Sequence, residues 1–575
     1  MTTSATERTS VVLAINGSGG AGAITAGSML LKAAARAGLY GLLTRAVGPQ
    51  IRGGEAVAIL RLATAPVECA ADRCDLQIAI DWMNADRFAA ELNLGPESLV
   101  IGDAAAEEVP EAIAESGARI EALPIAELAK SVKGGRPNMV ALGIAAAAIG
   151  LPAEALEAEI VETLSSKGEA AIEASKAALA AGMEAASGID FAAKLTPPDK
   201  KEKRWIISGN EAAGLGAIRG GVRFVAAYPI TPATEILEWM SPALVKAGGS
   251  LVQAEDELAS INMIIGASYG GVPALTATSG PGLALMLESV GLAIASEVPV
   301  VIVDVMRGGP STGIPTKSEQ SDLNMALNGC HGDAPHIVVA PTSVADCLFT
   351  TQWAVHLAEA MQVPTIVLSD QFLGQAKAVI DRPADVAFIA NRKVETAPAE
   401  GYRRYAITAD GVSPMTVPGI AGGQYTADGL EHNPRGTPST AAGDHASQLD
   451  KRADKLTKFD YGQHWAEIDG DGPLAVITWG SSTAPAREAI EIARAQGIDV
   501  KLVALRLLAP SRPDAFAEAL KGVERALVVE QTHSGQFLRH LRAEYDLPGE
   551  ITHLCRPGPL NFRAQDVLAA IKEAK

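Results

Sequence analysis

The chain is poor in cysteine and in aromatic residues. Its 575 residues include five cysteines, and Phe, Trp and Tyr together make up 4%. The cysteines are Cys69, Cys74, Cys330, Cys347 and Cys555. Because none of them belongs to a Cys-x-x-Cys pair, the spacing argues against a zinc site or an iron–sulfur cluster held by this chain. We expect reduced structural thiols and no metal site on this chain.

Positive charge and long apolar runs are also scarce. Lys and Arg number 48 against 67 Asp and Glu, which gives a net charge of −19. This balance argues against nucleic acid or an anionic membrane as a bulk partner. The opening MTTSATERTS lacks the charged and apolar regions of a secretory signal. The longest apolar window, residues 139–153, is shorter than the roughly 20 residues of a membrane span. These features predict a cytoplasmic protein.

Short apolar runs of strand length recur along the chain and alternate with segments long enough for helices. They are residues 11–15, 76–80, 98–102, 222–228, 273–278, 298–305, 364–369, 474–479, 500–505 and 525–531. Strands that alternate with helices predict parallel sheets covered on both faces. The expected fold class is therefore multidomain α/β, with parallel sheets flanked by helices.

Two polar stretches divide the chain, which is too long for a single hydrophobic core. LTPPDKKEKRW at 195–205 combines prolines with charges, and residues 410–457 are rich in Gly and Pro without clear periodicity. The predicted division is an α/β domain at 1–194, a linker at 195–204, a central α/β domain at 205–385, an irregular connector at 386–470 and a terminal α/β domain at 471–575.

A glycine-rich turn follows the first predicted strand. Gly17, Gly19, Gly20 and Gly22 lie where the strand gives way to a helix, a place where backbone amides can bind an anion. No acidic residue ends a second strand about 20 residues on, as a dinucleotide site requires. Tight packing of the turn and contact with a ligand both remain open, as they do for the following RGG motif at 52–54.

The central domain has a threonine held between two prolines. In YPITP, Thr231 follows a predicted strand and precedes a predicted helix, and Pro229 and Pro232 restrict the backbone on either side. Its hydroxyl could cap the helix. Loops at the carboxyl ends of strands in open α/β sheets also carry ligands, which favours a functional role for Thr231.

Charged residues follow the next strands of the same domain. Glu255, Asp256 and Glu257 begin a helix with Leu258, Ile261 and Ile265 on one face; first-turn acids are ordinary partners of the helix dipole. Arg307 follows the most apolar strand and precedes GGPSTG. Its planar guanidinium could bind a carboxylate at two points, or form an ion pair with a nearby acid.

These motifs, in this order and spacing, resemble the α subunit of 2-oxoacid:ferredoxin oxidoreductases, most closely the 2-oxoglutarate type. The α-like motifs are YPITPATEI, QAEDELASINMIIGASYGG, TATSGPG and RGGPSTGIPTKSEQSDL. GSGGAG, VGPQIRGGEA and RPNMVALG resemble the γ subunit, here fused ahead of α, and LAVITWGSS with VVEQTHSGQFLRHLR resembles the transketolase C-terminal-like domain. The resemblance covers nearly the whole chain.

The resemblance implies cofactors and partners. Family members use thiamine diphosphate, CoA and an iron–sulfur cluster to convert a 2-oxoacid to acyl-CoA and CO2, with ferredoxin as the electron acceptor. It implies that this chain supplies the pyrimidine-binding domain, at 205–385, while a β subunit supplies the diphosphate and magnesium site and a 4Fe–4S cluster. The complex is expected to be a dimer of αβ heterodimers. DGDGP at 469–473 precedes a strand and is interpreted as a turn.

The resemblance also assigns residue roles. It implies that Glu257 faces the aminopyrimidine and favours the tautomer that removes the thiazolium proton. It implies that Thr231 binds the substrate's 1-carboxylate or keto oxygen, with Pro229 beside the cofactor and Tyr228 at the mouth of the site. Arg307 would pair with the 1-carboxylate.

The expected function follows from these roles. The chain is predicted to be the γα-fused subunit of an enzyme that converts 2-oxoglutarate, CoA and oxidised ferredoxin to succinyl-CoA, CO2 and reduced ferredoxin. In the reverse direction the same residues would fix CO2, as in a reductive tricarboxylic acid cycle. The alternatives are the same chemistry on pyruvate or branched-chain 2-oxoacids, and a noncatalytic CoA-binding scaffold. Because ferredoxins are acidic, docking is expected on the β subunit.

Overall fold

The chain forms two compact units. The computed structural model describes residues 8–48, 54–83, 85–105, 108–191, 193–198 and 202–575, so Arg52 and Gly53 of the RGG motif lie outside the described residues. One unit comprises Met1–Ile207 with Ala376–Ala384, and the other comprises Ser208–Gln375 with Asp385–Lys575. The division into five segments remains a prediction. Residues 376–384, expected in the central domain, belong to the first unit instead.

Helices and strands both occur throughout the first two thirds of the chain. The elements up to residue 208 are β1 Ser10–Gly17, α1 Ala23–Arg36, β2 Tyr40–Val47, β3 Ala56–Ala63, β4 Leu76–Ala79, α2 Ala89–Leu92, β5 Leu99–Asp103, α3 Glu111–Ala114, β6 Arg119–Leu123, α4 Ile125–Ser131, α5 Pro137–Ile149, α6 Ala153–Leu164, α7 Glu169–Ala185 and β7 Trp205–Ser208. Then follow α8 Gly209–Gly220, β8 Phe224–Ala227, α9 Thr234–Lys246, β9 Ser250–Gln253, α10 Glu257–Tyr269, β10 Ala274–Thr278, α11 Gly280–Ala295, β11 Val301–Met306, α12 Leu323–Asn328, β12 Ile337–Val339, α13 Asp346–Met361, β13 Thr365–Asp370, α14 Gln371–Gln375 and β14 Lys377–Ile380.

The last third begins with a helix after a long stretch without regular structure. Its elements are α15 Ala442–Thr457, β15 Ala466–Asp469, β16 Leu474–Trp479, α16 Thr483–Ala495, β17 Val500–Leu505, β18 Leu507–Ala509, α17 Pro513–Ala519, β19 Arg525–Glu530, α18 Gln536–Glu544, β20 Glu550–Cys555 and α19 Ala564–Ala574. Short 3-10 turns lie at Ala85–Phe88, Ser165–Lys167, Gly462–Trp465 and Gly480–Ser482. The structure describes no helix whose length and apolar character would let it cross a membrane.

The sheet of the first unit is mixed. Its described strands run in the order β6-β5-β4-β1-β3-β2-β14-β7. Pairing is parallel from β1 through β4 and β5 to β6, but β3 is antiparallel to both β1 and β2, and β14 is antiparallel to β2. The α/β class is confirmed, although this half of the sheet departs from the expected parallel pairing.

Two further sheets form the second unit. One has the described order β18-β12-β13-β11-β10-β8-β9, with parallel pairing except between β12 and β18. The other has the order β15-β17-β16-β19-β20, with β15 antiparallel. β11 and β13 are buried at every position, which is why both are apolar on both faces.

The connector expected to be irregular contains α15, which is held by a buried ionic cluster. Glu297 accepts from Lys451 Nζ at 2.6 Å and from Lys455 Nζ at 3.1 Å, and all three side chains are almost fully buried. Arg404, also buried, donates to the Glu297 carbonyl oxygen. Burial alone would raise the pKa of Glu297, but the two lysines and Arg404 hold it well below its ordinary value.

We expect Glu297→Gln to lower the free energy of unfolding by about 3–5 kcal/mol, because two buried ammonium groups lose their counter-charge. Its lowered pKa means that this contribution is complete above the carboxyl's unfolded pKa and fades as pH falls below it. Urea denaturation at pH 7 measures the effect. Asp454→Asn, which breaks the exposed pair with Lys458, is the matched control and should cost at most about 1 kcal/mol. Equal effects of the two substitutions would contradict the account.

Candidate functional site

The predicted site residues meet at one edge of the sheet around β11. β11, β10, β8 and β9 are neighbours in that order and run parallel, so their carboxyl ends share an edge. Thr231 follows β8, Glu257 follows β9, and Arg307 immediately follows β11. The first turn of α11, beginning at Gly280, follows β10. Loops at this edge of an open α/β sheet are the usual place for a ligand.

Arg307 and Thr231 are in direct contact, through the threonine's main chain. Arg307 Nη1 donates to the Thr231 carbonyl oxygen at 2.6 Å, and Nη2 donates to the Thr312 carbonyl oxygen at 2.7 Å. The guanidinium is buried, and burial lowers its pKa while Asp322 and Asp304 oppose that change. Within the described chain Arg307 forms no ion pair with a carboxylate. Three of its five N–H groups remain available for a carboxylate ligand.

The Thr231 hydroxyl does not cap the helix that follows. Helix α9 begins at Thr234 after Ala233 and has no side-chain cap hydrogen bond. Thr231 is half-buried, with Pro229 beside it, and Tyr228 is 40% exposed at the end of β8. The capping explanation for Thr231 is therefore wrong, and its hydroxyl remains available to a ligand at the sheet edge.

The three consecutive carboxylates at the start of α10 have different surroundings. Glu255 is exposed, whereas Asp256 caps the helix by accepting from the Ala259 amide at 2.7 Å. Glu257 is buried. A methyl group at Gly282 would lie 2.9 Å from Glu257 Oε1, so the missing side chain there leaves room for this carboxylate. Neither helix capping nor solvation therefore explains why a carboxylate stands at position 257.

The loop after Arg307 is fastened to the sheet that contains β16 and β19, a feature that the sequence did not reveal. The buried Gln320 donates to the Trp479 carbonyl at 2.9 Å and accepts from the Gln531 amide at 2.8 Å. The Gln531 side chain donates in turn to the Ser318 and Leu560 carbonyls. These bonds fix the loop that carries Thr312. Both glutamines lie in the quoted motifs SEQSDL and VVEQTHSG, but their contact joins residues more than 200 positions apart.

The glycine-rich turn of the first unit is tightly packed and also borders a cavity that could hold a ligand. Gly22 has φ of +86°, and a Cβ there would lie 2.5 Å from Asn138 Nδ2, so tight packing requires glycine. Asp81, just beyond β4, holds the turn by accepting from the Ser18 amide and hydroxyl. The turn opens onto a cavity of about 1420 Å³ that is also lined by Lys133, Arg136 and Lys167. These cations and the free amides at the start of α1 suit a phosphate-bearing ligand.

At the sheet edge around β11, the described residues contain no group of three metal ligands. In the parts of the chain that the structure describes, one cluster could supply three metal ligands, namely Glu530, His553 and Cys555. The Glu530 carboxylate already accepts from Thr532 Oγ1, the Phe537 and Leu538 amides and His553 Nε2. Four donors saturate this carboxylate, so the cluster anchors the start of α18. Asp469 of the DGDGP stretch ends β15 and pairs with Arg494, and residues 470–473 connect β15 to β16.

Comparison with known proteins places these observations in one family. Residues 215–451 match the family described as pyruvate flavodoxin/ferredoxin oxidoreductase, thiamine diphosphate-binding. Residues 12–185 match pyruvate ferredoxin/flavodoxin oxidoreductase, and residues 473–556 match core domain II of pyruvate:ferredoxin oxidoreductase. Together these matches cover the first unit, the central sheet and the terminal sheet.

Individual relatives agree with the family matches. The 2-oxoglutarate synthase subunit KorA of Methanothermobacter marburgensis is 36% identical over 379 residues, which are 65% of this chain and 100% of that protein. The 2-oxoacid:ferredoxin oxidoreductase subunit alpha of Saccharolobus solfataricus is 37% identical over 358 residues, 58% of this chain and 56% of that protein.

A solved structure matches nearly the whole chain. It is the 2-oxoglutarate:ferredoxin oxidoreductase from Magnetococcus marinus with 2-oxoglutarate, coenzyme A and succinyl-CoA bound. The TM-score is 0.92 at 35% sequence identity, over 99% of this chain and 100% of the other. The chain belongs to the 2-oxoacid:ferredoxin oxidoreductase family. The predicted resemblance is confirmed, and so is the prediction of an oxidoreductase subunit.

Proposed function

We propose that this chain is the γα-fused subunit of an enzyme that converts 2-oxoglutarate, CoA and oxidised ferredoxin to succinyl-CoA, CO2 and reduced ferredoxin. The observation that carries the proposal is the match over 99% of the chain to a structure whose bound molecules are 2-oxoglutarate, coenzyme A and succinyl-CoA. The naming of the Methanothermobacter marburgensis relative as a 2-oxoglutarate synthase subunit supports the same substrate.

Glu257 is the residue of this chain suited to the pyrimidine end of thiamine diphosphate. A buried carboxylate at the sheet edge offers one ionisable group, and Gly282 leaves it the room that a larger residue would occupy. When bound, the cofactor supplies a carbon nucleophile that attacks the keto carbon of the substrate. Glu257 would hydrogen-bond the aminopyrimidine ring and hold it in the tautomer that accepts the thiazolium proton. Pro229 and Tyr228 would line the wall and the mouth of the site.

Arg307 and Thr231 would hold the leaving carboxylate. The free N–H groups of Arg307 can grip the substrate 1-carboxylate, and the Thr231 hydroxyl can donate to the same carboxylate or to the keto oxygen. The contact between Arg307 and the Thr231 carbonyl fixes the two residues relative to each other. Such positioning contributes to rate by keeping the carboxylate in one orientation.

The remainder of the proposed enzyme resides on a partner. The relatives are named as subunits, which supports a multi-subunit complex. A β subunit would supply the diphosphate and magnesium site and a 4Fe–4S cluster, would receive ferredoxin, and would pair with this chain in a dimer of αβ heterodimers. CoA is the co-substrate, and the cationic cavity of the first unit suits its phosphates.

Substrate choice tests the proposal. We expect the native complex to reduce viologen in a CoA-dependent reaction with kcat/KM for 2-oxoglutarate above those for pyruvate and 2-oxoisovalerate. Pyruvate is included because the matching family descriptions name it. Preference for pyruvate or 2-oxoisovalerate would move the assignment to that substrate. Absence of CoA-dependent reduction with all three, in a complex that retains its iron, would overturn the proposal.

A further inference from the structure

A buried aspartate lies inside the most apolar strand beneath the site. Asp304 belongs to β11, three residues before Arg307, and is fully buried. Its neighbours on the adjacent strands are Thr278 and Leu368. Apart from Asp322, neither of its carboxyl oxygens has a hydrogen-bond partner among the described residues. Burying an ionised acid in such a place costs free energy unless a neighbouring group offsets its charge.

A second acid, Asp322, approaches Asp304 beside the first turn of α11. Asp322 immediately precedes α12, and its carboxyl lies within hydrogen-bonding distance of the carboxyl of Asp304. A Cβ at Gly280 would lie 2.6 Å from Asp322 Oδ2, so glycine at the start of α11 gives this side chain its place. The two carboxyls form a buried pair between β11 and α11.

Arg307 faces the pair without bonding to it. Its Nη atoms donate to the Thr231 and Thr312 carbonyls, and its Nε is buried without a partner among the described residues. Burial raises the pKa of Asp322 to about 6 and that of Asp304 well above its ordinary value. The Asp322 carboxyl raises the pKa of Asp304 further, whereas the contact with Asp304 lowers the pKa of Asp322, as expected when one acid keeps the proton and the other accepts from it. The other acid facing Asp322 is Glu319, whose pKa burial also raises and His533 lowers.

We propose that Asp304 and Asp322 form a positioning pair that holds one proton between them and so sets the charge that Arg307 presents to the anionic substrate. With one shared proton the pair and the guanidinium together are neutral. With both carboxyls ionised they carry a net charge of −1, which repels a 2-oxoacid. The pair acts through Arg307 and touches no reacting atom. This inference rests on the proposed function because it assigns the anion at Arg307 to the substrate.

The pH dependence of KM tests the pair in the assembled complex. We expect KM for 2-oxoglutarate to rise on the order of tenfold between pH 6 and 9 in the wild type, because the pair loses its shared proton. In Asp322→Asn the introduced amide can donate to the Asp304 carboxylate, and the charge that opposes ionisation of Asp304 is gone. Asp304 should then stay ionised beside Arg307, so KM should change less than about twofold over this range. Glu319→Gln, which removes the neighbouring acid outside the pair, should retain the wild-type slope. An unchanged slope in Asp322→Asn, or a slope lost in Glu319→Gln, would overturn the proposal.

A readout that needs no turnover separates this inference from the proposed function. Infrared spectroscopy of the resting complex at pH 7 should show the carbonyl band of a protonated carboxylic acid that disappears in Asp322→Asn and in Asp304→Asn. The band, without turnover of any 2-oxoacid by the wild type, would uphold the shared proton and overturn the proposed function. Retention of the band in both variants would overturn the proposed pair. Asp322, at the end of a loop, gives the safer variant should Asp304→Asn not fold.

Discussion

Glu257→Gln should lower kcat of the assembled complex by about 10²–10⁴-fold, the usual contribution of a positioned acid or base. The amide occupies the same volume as the carboxylate beside Gly282, so the loss would come from the missing charge and acceptor. KM should change little, because Glu257 is assigned to the cofactor and not to the substrate. Steady-state viologen reduction with saturating CoA measures the effect.

Two residues away the chain provides a matched control for this substitution. Glu255 carries the same carboxylate but is exposed. Glu255→Gln should leave kcat within about twofold of the wild type, as expected of a surface change. If Glu257→Gln also retained full turnover, the catalytic assignment would fail and the scaffold alternative would gain support.

Arg307→Lys should lower kcat/KM for 2-oxoglutarate by about 100-fold, within the 2–5 kcal/mol typical of a buried charged contact. Lysine keeps the charge, but one ammonium group cannot donate to the Thr231 and Thr312 carbonyls and also grip a carboxylate at two points. Both KM and kcat should suffer, because the carboxylate is bound less tightly and is less well oriented. The measurement is initial rates over a range of 2-oxoglutarate concentrations.

The exposed Arg435 in the same unit supplies the control for lysine replacement in general. Arg435→Lys should leave both constants unchanged within error. An Arg307→Lys complex with kcat/KM within about threefold of the wild type would show that the forked contact is not needed.

The sequence located the buried strands well. Every apolar run identified there coincides with a strand of the structure, because strands covered on both faces must be apolar throughout. The strands that escaped include β12, which is buried but only three residues long, and strands with exposed positions. β6 and β9 consist of exposed and half-buried residues, with most of β9 exposed. Their short sequences resemble loops. Their strand pairing depends on neighbours that local patterns do not reveal.

Helix α15 was missed for a different reason. Its sequence is polar, and the residues that anchor it are Lys451 and Lys455, whose buried partner Glu297 lies more than 150 positions earlier. In isolation two lysines one turn apart indicate a solvated face. In α10, Leu258 shares a helix face with Ile261 and Ile265, which are buried, but Leu258 itself is 48% exposed. Leu258 stands in the first turn, next to the sheet edge where β9 ends.

The residues of the site could be predicted from the sequence, but the hydrogen bonds that connect them could not. The motifs placed Thr231, Glu257 and Arg307 after strands of the same domain, and the structure brings these strand ends to one edge. The contact between Arg307 and the Thr231 carbonyl involves the main chain, which sequence patterns do not specify. Asp304 interrupts the run VIVDV, and a lone acid in a fully buried strand requires a partner.

Hydrogen–deuterium exchange at the C2 carbon of bound thiamine diphosphate tests most directly whether this chain takes part in the chemistry. It requires no 2-oxoacid, CoA or ferredoxin and therefore isolates the step assigned to Glu257. Exchange should be slowed by about 10²-fold or more in the Glu257→Gln complex, with Glu255→Gln equal to the wild type. Equal exchange in all three complexes, each with cofactor bound, would contradict this assignment and place the activating group elsewhere.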